Sequence, residues 1–309
     1  RGATAIRHQN KAFLEFKGEP LVIHVLRAVQ QSEDISGIVV VGPKRELKET
    51  IHASSLEHKD EIVIVEQRQN LLENGKAGYV HALGMEYSPS VFNSLRRSEY
   101  AEIPALFMSC DIPLITHWEL EEFVESADLE KCDYTVGLTQ ESVMESYYPS
   151  GGRPGIEMAY FHLADGRCRH NNLHIIKPLK VHRLIFVEHM YLTRYQKKFT
   201  NMFRAMMGLL FAGRWAFRTI RVYLGLQFAQ FLYASRGGGR LYERIRATNQ
   251  MKAVAQCIGG VMDMKMEWVF TTYGGAVLDV DNAKDLEIAS QMRDLWMDHQ
   301  QEIVKRNAK

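Results

Sequence analysis

The sequence predicts an α/β fold: a mostly parallel sheet with helices on both faces, interrupted by a helical insertion. Three observations predict it. Short β-branched runs alternate with segments of helical spacing through the first 180 or so residues, which is how a parallel sheet with crossover connections reads. The alternation stops from about Val181 to Ala255 and then resumes. The chain has 309 residues and 46% apolar side chains, enough to bury the core that one large α/β domain needs.

Taken in order, Pro20 to Gln31 has helical spacing through Leu21, Val25, Leu26 and Val29. Gly37 to Val41 (GIVVV) reads as a buried strand ended by Gly42 and Pro43. Glu61 to Glu66 (EIVIVE), Pro104 to Ser109 (PALFMS) and Tyr134 to Thr139 (YTVGLT) read as further strands. Trp118 to Ala127 returns to helical spacing through Leu120, Phe123 and Val124. Ile156 to Leu163 and Leu173 to Ile176 read as two later strands. The 181–255 stretch then reads as two to four helices, broken only at Gly237-Gly238-Gly239. Trp268 to Thr272 and Ala276 to Val280 regain strand character, and Asn282 to Lys305 closes the chain as an amphipathic helix. The expected organisation is a core of 1–180 and 256–309 with 181–255 inserted into it.

Bulk composition narrows the function classes. Basic and acidic residues nearly cancel, 38 against 37, so no nucleic-acid partner is expected. The four cysteines, Cys110, Cys132, Cys168 and Cys257, form no CxxC pair. Neither a zinc site nor a disulfide framework is expected, and a reducing cytoplasm fits. The longest charge-free run in the insertion, Val222 to Ser235, falls short of the roughly 18–20 residues of a spanning helix. Arg214, Arg218 and Arg221 stand at i, i+4 and i+7, one stripe on one helix. The apolar residues around them leave three uses open: packing on the core, a homodimer interface, or peripheral contact with an anionic membrane surface.

Four stretches carry candidate chemistry. In Cys110-Asp111-Ile112-Pro113-Leu114-Ile115-Thr116 an apolar strand runs straight into an aspartate, at the end of a parallel strand where ligands bind. Magnesium for phosphoryl or nucleotidyl transfer is held by one or two carboxylates plus substrate phosphates. In Val277-Leu278-Asp279-Val280-Asp281-Asn282 two carboxylates alternate and in a strand project to one face. Asn282 with Asp285 reads as a helix cap. At the amino end Gly2, Arg7 and Lys11 stand in a polar loop whose amides and cations suit a triphosphate. Lys11 can offset charge as pyrophosphate leaves. Arg153, Arg169, Asn172 and Lys177, with Arg167 and Asn171, surround the later strands and suit a phosphate or carboxylate on an acceptor. Gln67 and Asn70 follow the second strand with amides that both donate and accept. Each stretch also has a plain structural reading: a turn aspartate before proline, a capped strand end, a frayed terminus, a polar loop, mixed surface charge.

Three of these segments resemble one superfamily. NKAFLEFKGEPLVIHVLRAV resembles the opening segment of sugar-nucleotide and molybdenum-cofactor-type nucleotidyltransferases, CDIPLITHWELEEFV its GDxPLLT-helix motif, and LDVDNAKDLEIA its closing DVDTPEDL-like segment, most closely in the cytidylyltransferase branch. They occur in the family's order and frame nearly the whole chain. The resemblance implies a Rossmann-like sheet of glycosyltransferase-A type, with Asp111 and one of Asp279 or Asp281 holding magnesium. It implies that Lys11 and the loop around Gly2 and Arg7 contact the triphosphate, and that Gln67 and Asn70 read the base. Departures are the absence of the family's first strand before Arg1, Asn10 in place of proline, Cys110 in place of glycine, and Asp281 where some branches have glycine. The implied reaction is magnesium-dependent transfer of a nucleoside monophosphate, with cytidine triphosphate favoured, to a sugar phosphate, polyol phosphate or similar anion. Two other readings stand beside it. A glycosyltransferase of the same fold usually carries a mid-chain DxD, whereas the only one here is Asp279-Val280-Asp281 near the end. A degenerate nucleotide-binding regulatory or scaffold domain is at odds with an intact Asp111, Asp279 and Asp281.

Overall fold

Parallel pairing starts where the β-branched runs are densest. In the computed structural model, which describes residues 10–182 and 215–307, β1 (Ile38–Gly42) and β2 (Ile62–Glu66) pair in parallel, Ile38 opposite Ile62 and Gly42 opposite Glu66. A second sheet contains β3 (Ala105–Met108), β4 (Tyr134–Gln140), β5 (Phe161–Leu163), β6 (Gly166–Ile176) and β7 (Met266–Thr271). Its order is β3-β6-β4-β7, with β5 paired to β6. β3, β4 and β7 point the same way; β6 runs antiparallel between β3 and β4. The pairing of β4 with β6 shifts register between Val136 and Leu138. Gly137 lies at that shift, where a Cβ would sit 2.1 Å from Asn171 Oδ1. Glycine there admits the Asn171 amide, which donates to Thr271 Oγ1 at 3.1 Å and accepts from its neighbour Leu173 N–H.

Helices join the two sheets. α1 (Leu21–Gln31) buries Leu21, Val22, Ile23, Val25, Leu26, Ala28 and Val29; all but Leu21, which joins the cluster around Trp296, fill two adjoining core clusters under β1, β2 and β6. α2 (Lys44–Ala53) covers β2 with Leu47 and Ile51. α3 (Leu71–Ala82) touches both sheets: a Cβ at Gly78 would meet Val41 of β1 at 3.0 Å, and Tyr79 and Val80 share a cluster with Ala105 and Phe107 of β3. α4 (Pro89–Leu95) completes that cluster with Phe92 and Leu95. α5 (His117–Ser126) follows the Asp111 motif and buries Glu119, Leu120 and Phe123. α9 (Ala283–Asn307) packs Trp296 and Met292 onto Leu14, Phe16, Leu114 and Val280.

Several expected elements differ. Only Phe161–Leu163 of the 156–163 run is strand; the rest is irregular. The Ala276–Val280 run is a 3-10 turn over Gly275–Val277 followed by irregular chain, because its first N–H groups are drawn out of any ladder, as the site below shows. The described part of the insertion is α6 (Ala216–Arg236), α7 (Arg240–Thr248) and α8 (Met251–Met262), the last running past the expected boundary at Ala255. These helices bond to the β5–β6 hairpin. Ala164 N–H donates to Asn249 O at 2.9 Å, Asn249 Nδ2 to His162 O at 3.2 Å, and Arg246 to Leu163 O at 3.0 Å. Arg214 and residues 183–213 lie outside the described residues.

Candidate active site

The site is assembled at the carboxyl ends of β3, β4 and β7. β3 ends at Met108, and the chain turns through Ser109 and Cys110 into Asp111. The Ser109 hydroxyl donates to Asp111 Oδ1 and orients the carboxylate. Asp111's carbonyl accepts from Val280 N–H at 2.8 Å, so the middle motif and the closing motif are one bonded unit although they lie 169 positions apart in the chain.

Beneath that joint lies a buried polar network. Glu119, fully buried on α5, accepts from Thr271 Oγ1 at 2.9 Å and from Ala276 N–H at 2.9 Å. Gly275 sits so close to Leu114 that a Cβ would be 2.2 Å from its carbonyl oxygen. Gln300 of α9 donates to the same Leu114 carbonyl at 3.0 Å and accepts from the Thr116 hydroxyl at 3.0 Å. Asn172 donates to Ala276 O at 2.9 Å. These bonds hold the 275–280 turn away from the sheet and aim its carboxylates. Burial pushes the Glu119 carboxyl up to about 7, although its two donors pull the other way.

Charge converges above this network. Asn10 caps the 3-10 turn Lys11–Phe13 by accepting from Ala12 N–H, and Ala12 is buried against α1 and α2. Lys11 is thereby aimed at the carboxylates: its Nζ lies 2.8 Å from Asp111 Oδ2 and 2.7 Å from Asp281 Oδ1. Burial lowers its affinity for a proton, but the hydrogen bonds to Asp111 and Asp281 outweigh that and leave it above the ordinary lysine value. Arg169 of β6 approaches Asp279 to 3.7 Å. Burial, and then the Asp281 charge, push Asp279 up to about 6. Among the described residues three carboxylates thus meet two cations, and one carboxylate resists ionising. Burial, followed by the Asp111 charge, raises the Cys110 thiol to about 11, so it is no nucleophile at neutral pH.

Other candidates fall in different places. Asp279 and Asp281 do not sit on one strand face, since the turn sends Asp279 toward Arg169 and Asp281 toward Lys11. Asn282 caps α9 as expected, accepting from Lys284 and Asp285 N–H, while Asp285 reaches back to Asp281 N–H at 3.2 Å. Gln67 and Asn70 follow the carboxyl end of β2, with Gln67 N–H bonded to Gly42 O. Asn70 caps α3 through Glu73 N–H. Arg153 closes an exposed turn with Ser150. Lys177 is not brought to the cluster. It follows Ile176, which pairs with Ala105 and Tyr134 at the opposite ends of β3 and β4, and its ammonium meets Glu102 at 3.1 Å. Asn171 is buried structure, as described. Arg167 pairs with Glu141 and lies 4.4 Å over the Tyr233 ring of α6. Gly2 and Arg7 lie outside the described residues.

A family model for the MobA-like NTP transferase domain matches residues 6–186, more than half of the chain. The chain belongs to that family. Its match takes in Lys11, Asp111, Arg169 and the buried Glu119, and ends before α6. Among solved structures, a hypothetical transferase from Thermus thermophilus is similar over 89% of this chain and 90% of its own, with a TM-score of 0.57 and 17% identity. At that identity the likeness concerns the fold, which in this NTP transferase domain is accordingly Rossmann-like. A CMP:2-keto-3-deoxy-manno-octonic acid synthetase complexed with CTP covers 92% of each chain at 11% identity and a TM-score of 0.42, too low to carry an argument. No curated protein matches the sequence.

The residues present suit a divalent cation. All donors are carboxylate oxygens, which hard cations prefer, and the Lys11 ammonium already serves as a cation between Asp111 and Asp281. Among the described residues no three acidic, histidine or cysteine groups converge tightly enough to hold an ion alone.

Proposed function

We propose that this NTP transferase domain transfers a nucleoside monophosphate from a triphosphate to a phosphorylated or otherwise anionic acceptor, releasing pyrophosphate. The observation that carries the reading is the joint between Asp111 and Val280, which gathers Asp111, Asp279, Asp281 and Lys11 at the carboxyl end of the sheet. Asp111, with Asp279 or Asp281, would hold magnesium, which when bound would neutralise charge on the phosphates. Lys11 leaves the carboxylates for the triphosphate and balances charge on the departing pyrophosphate. Gln67 and Asn70 face the base, with cytidine triphosphate the favoured nucleotide. Arg169, Asn172 and Arg153 serve the acceptor, a sugar or polyol phosphate or a similar anion. Arg169 already lies 3.7 Å from Asp279. An acceptor oxyanion attacks the α-phosphorus, the bond to the bridging oxygen breaks, and positioning does most of the work.

Thermal unfolding with each of the four nucleoside triphosphates, with and without magnesium, tests this. One triphosphate at roughly 100 times its dissociation constant is expected to add about 2.7 kcal/mol of stability, only with magnesium, and not in Asp111→Ala. No shift with any triphosphate overturns the reading.

A further inference from the structure

α6 presents two faces. One packs inward: Ala229 and Leu232 are buried with Tyr242 of α7, and Tyr233 lies under Arg167 and against His162. The other carries a row of side chains that nothing described covers. Phe217 is 81% exposed, Leu224 53%, Phe228 45% and Phe231 63%, and Arg221 is exposed between the first two. Their spacing of four, three, four and three residues keeps them on one line. That line spans about 21 Å at 1.5 Å per residue. Phe228 and Phe231 stack along it, their ring planes nearly parallel at 13° with 6.5 Å between centroids.

The charge around this row is one-sided. From Trp215 to Thr248 the sequence has six arginines and one acid, Glu243, in a chain whose total net charge is +1. α6 itself contains no Asp or Glu. The single acid is taken up by Arg246 at 2.9 Å. A helix that combines exposed Phe and Leu with arginines and no acid matches a surface that is apolar below and anionic above. A second copy of the same helix offers the arginines no partner. Among the described residues no helix is long and apolar enough to cross a membrane, so the contact is one of lying on the surface.

We propose that the exposed face of α6 docks this protein on an anionic lipid surface, with Phe217, Leu224, Phe228 and Phe231 entering the headgroup boundary and Arg221 meeting lipid phosphates. The inference stands independently of the transferase reading, since binding is measured without nucleotide. The full chain is sedimented with vesicles of phosphatidylcholine alone and of phosphatidylcholine mixed with phosphatidylglycerol, at low and at physiological salt. Expected are binding to the mixed vesicles, weakening with salt, and a loss of about tenfold or more in Phe228→Ser/Phe231→Ser. Thermal unfolding shows whether that variant folds; Arg221→Glu, which leaves the apolar row intact, carries the test if it does not, with the same expected loss. Absence of binding to any vesicle overturns the proposal. So does equal binding to both compositions, or binding that neither variant changes. A dimer in light scattering that the phenylalanine substitutions dissociate assigns the face to a second copy instead. Preference for single-stranded RNA over mixed vesicles assigns it to nucleic acid.

Discussion

The two ends of the same strands carry two ion clusters of different design. At the amino ends of β3 and β4, Lys177 and Lys180 face Glu102 and Asp133, two cations against two acids. Lys180 is held above, and Glu102 below, its ordinary value by these mutual contacts. At the carboxyl ends, Asp111 and Asp281 meet Lys11 and Asp279 meets Arg169, and Asp279 is driven up to about 6 by burial and the neighbouring charge. The first cluster is balanced and complete. Among the described residues the second has three acids to two cations in a partly buried place, which costs stability unless a further cation is supplied. Charge balance therefore separates the two ends: the balanced cluster serves the fold, and the unbalanced one is where the proposed function calls for a cation.

The largest expected effect breaks the unbalanced end. Asp111→Asn keeps the shape and the backbone bond to Val280 but removes a charge, and pyrophosphate release is expected to fall roughly a hundredfold to a thousandfold, as when one electrostatic group of a preorganised site is lost. An unchanged rate in a pyrophosphate-coupled assay removes Asp111 from the chemistry.

The next effect concerns the network that positions that end. Glu119→Ala leaves the Thr271 hydroxyl and the Ala276 N–H without their acceptor and opens a cavity, for a cost of about 2–4 kcal/mol in denaturant unfolding. Glu119→Gln retains an acceptor and the volume and is expected to cost much less. The pH dependence gives the sharper test. Burial raises the folded-state value of Glu119 from 4.5 to about 7, so between those values the folded protein binds more protons than the unfolded chain. Its contribution to stability is present below about 4.5 and is lost as pH rises toward 7. Metal-free protein is expected to lose stability over that window, and Glu119→Gln to flatten the slope. A slope unchanged in the glutamine variant assigns it to other groups, Asp279 first.

The smallest expected effect is the one that separates the two ends. Lys177→Met removes a cation from the balanced cluster, and nucleotide binding and transfer rate are expected to be unchanged. A raised KM for the acceptor in this variant returns Lys177 to the site and ends the contrast.

How much of this was legible varies with the residue. Asp111, Asp279, Asp281 and Lys11 stand in motifs whose order and spacing point to them directly, and the strand runs at 37–41, 61–66, 104–109 and 134–139 coincide with β1 to β4 within a few residues. Glu119 was hidden by its own context: Thr116-x-x-Glu119 has the form of a helix capping box, whereas the Thr116 hydroxyl goes to Gln300 and Glu119 goes to Thr271 and Ala276. Lys177 resembled a site residue because it lies only eight positions after Arg169, yet an eleven-residue strand puts their neighbours at opposite ends of the sheet. The helices α2 to α4 were not anticipated; α3 has two internal glycines, which weaken its local propensity, and is sustained by packing on both sheets.

By itself the sequence determined the class of the fold and the family and singled out the carboxylates of the proposed site, because hydrophobic period and local motif are properties of neighbouring residues. Only the tertiary structure decided which described cations meet those carboxylates, that the closing motif is a turn bonded to Asp111 rather than a strand, and that no described residue covers one face of α6. Those outcomes depend on strand direction, register and burial, which act between residues far apart in the chain and leave no trace in local spacing.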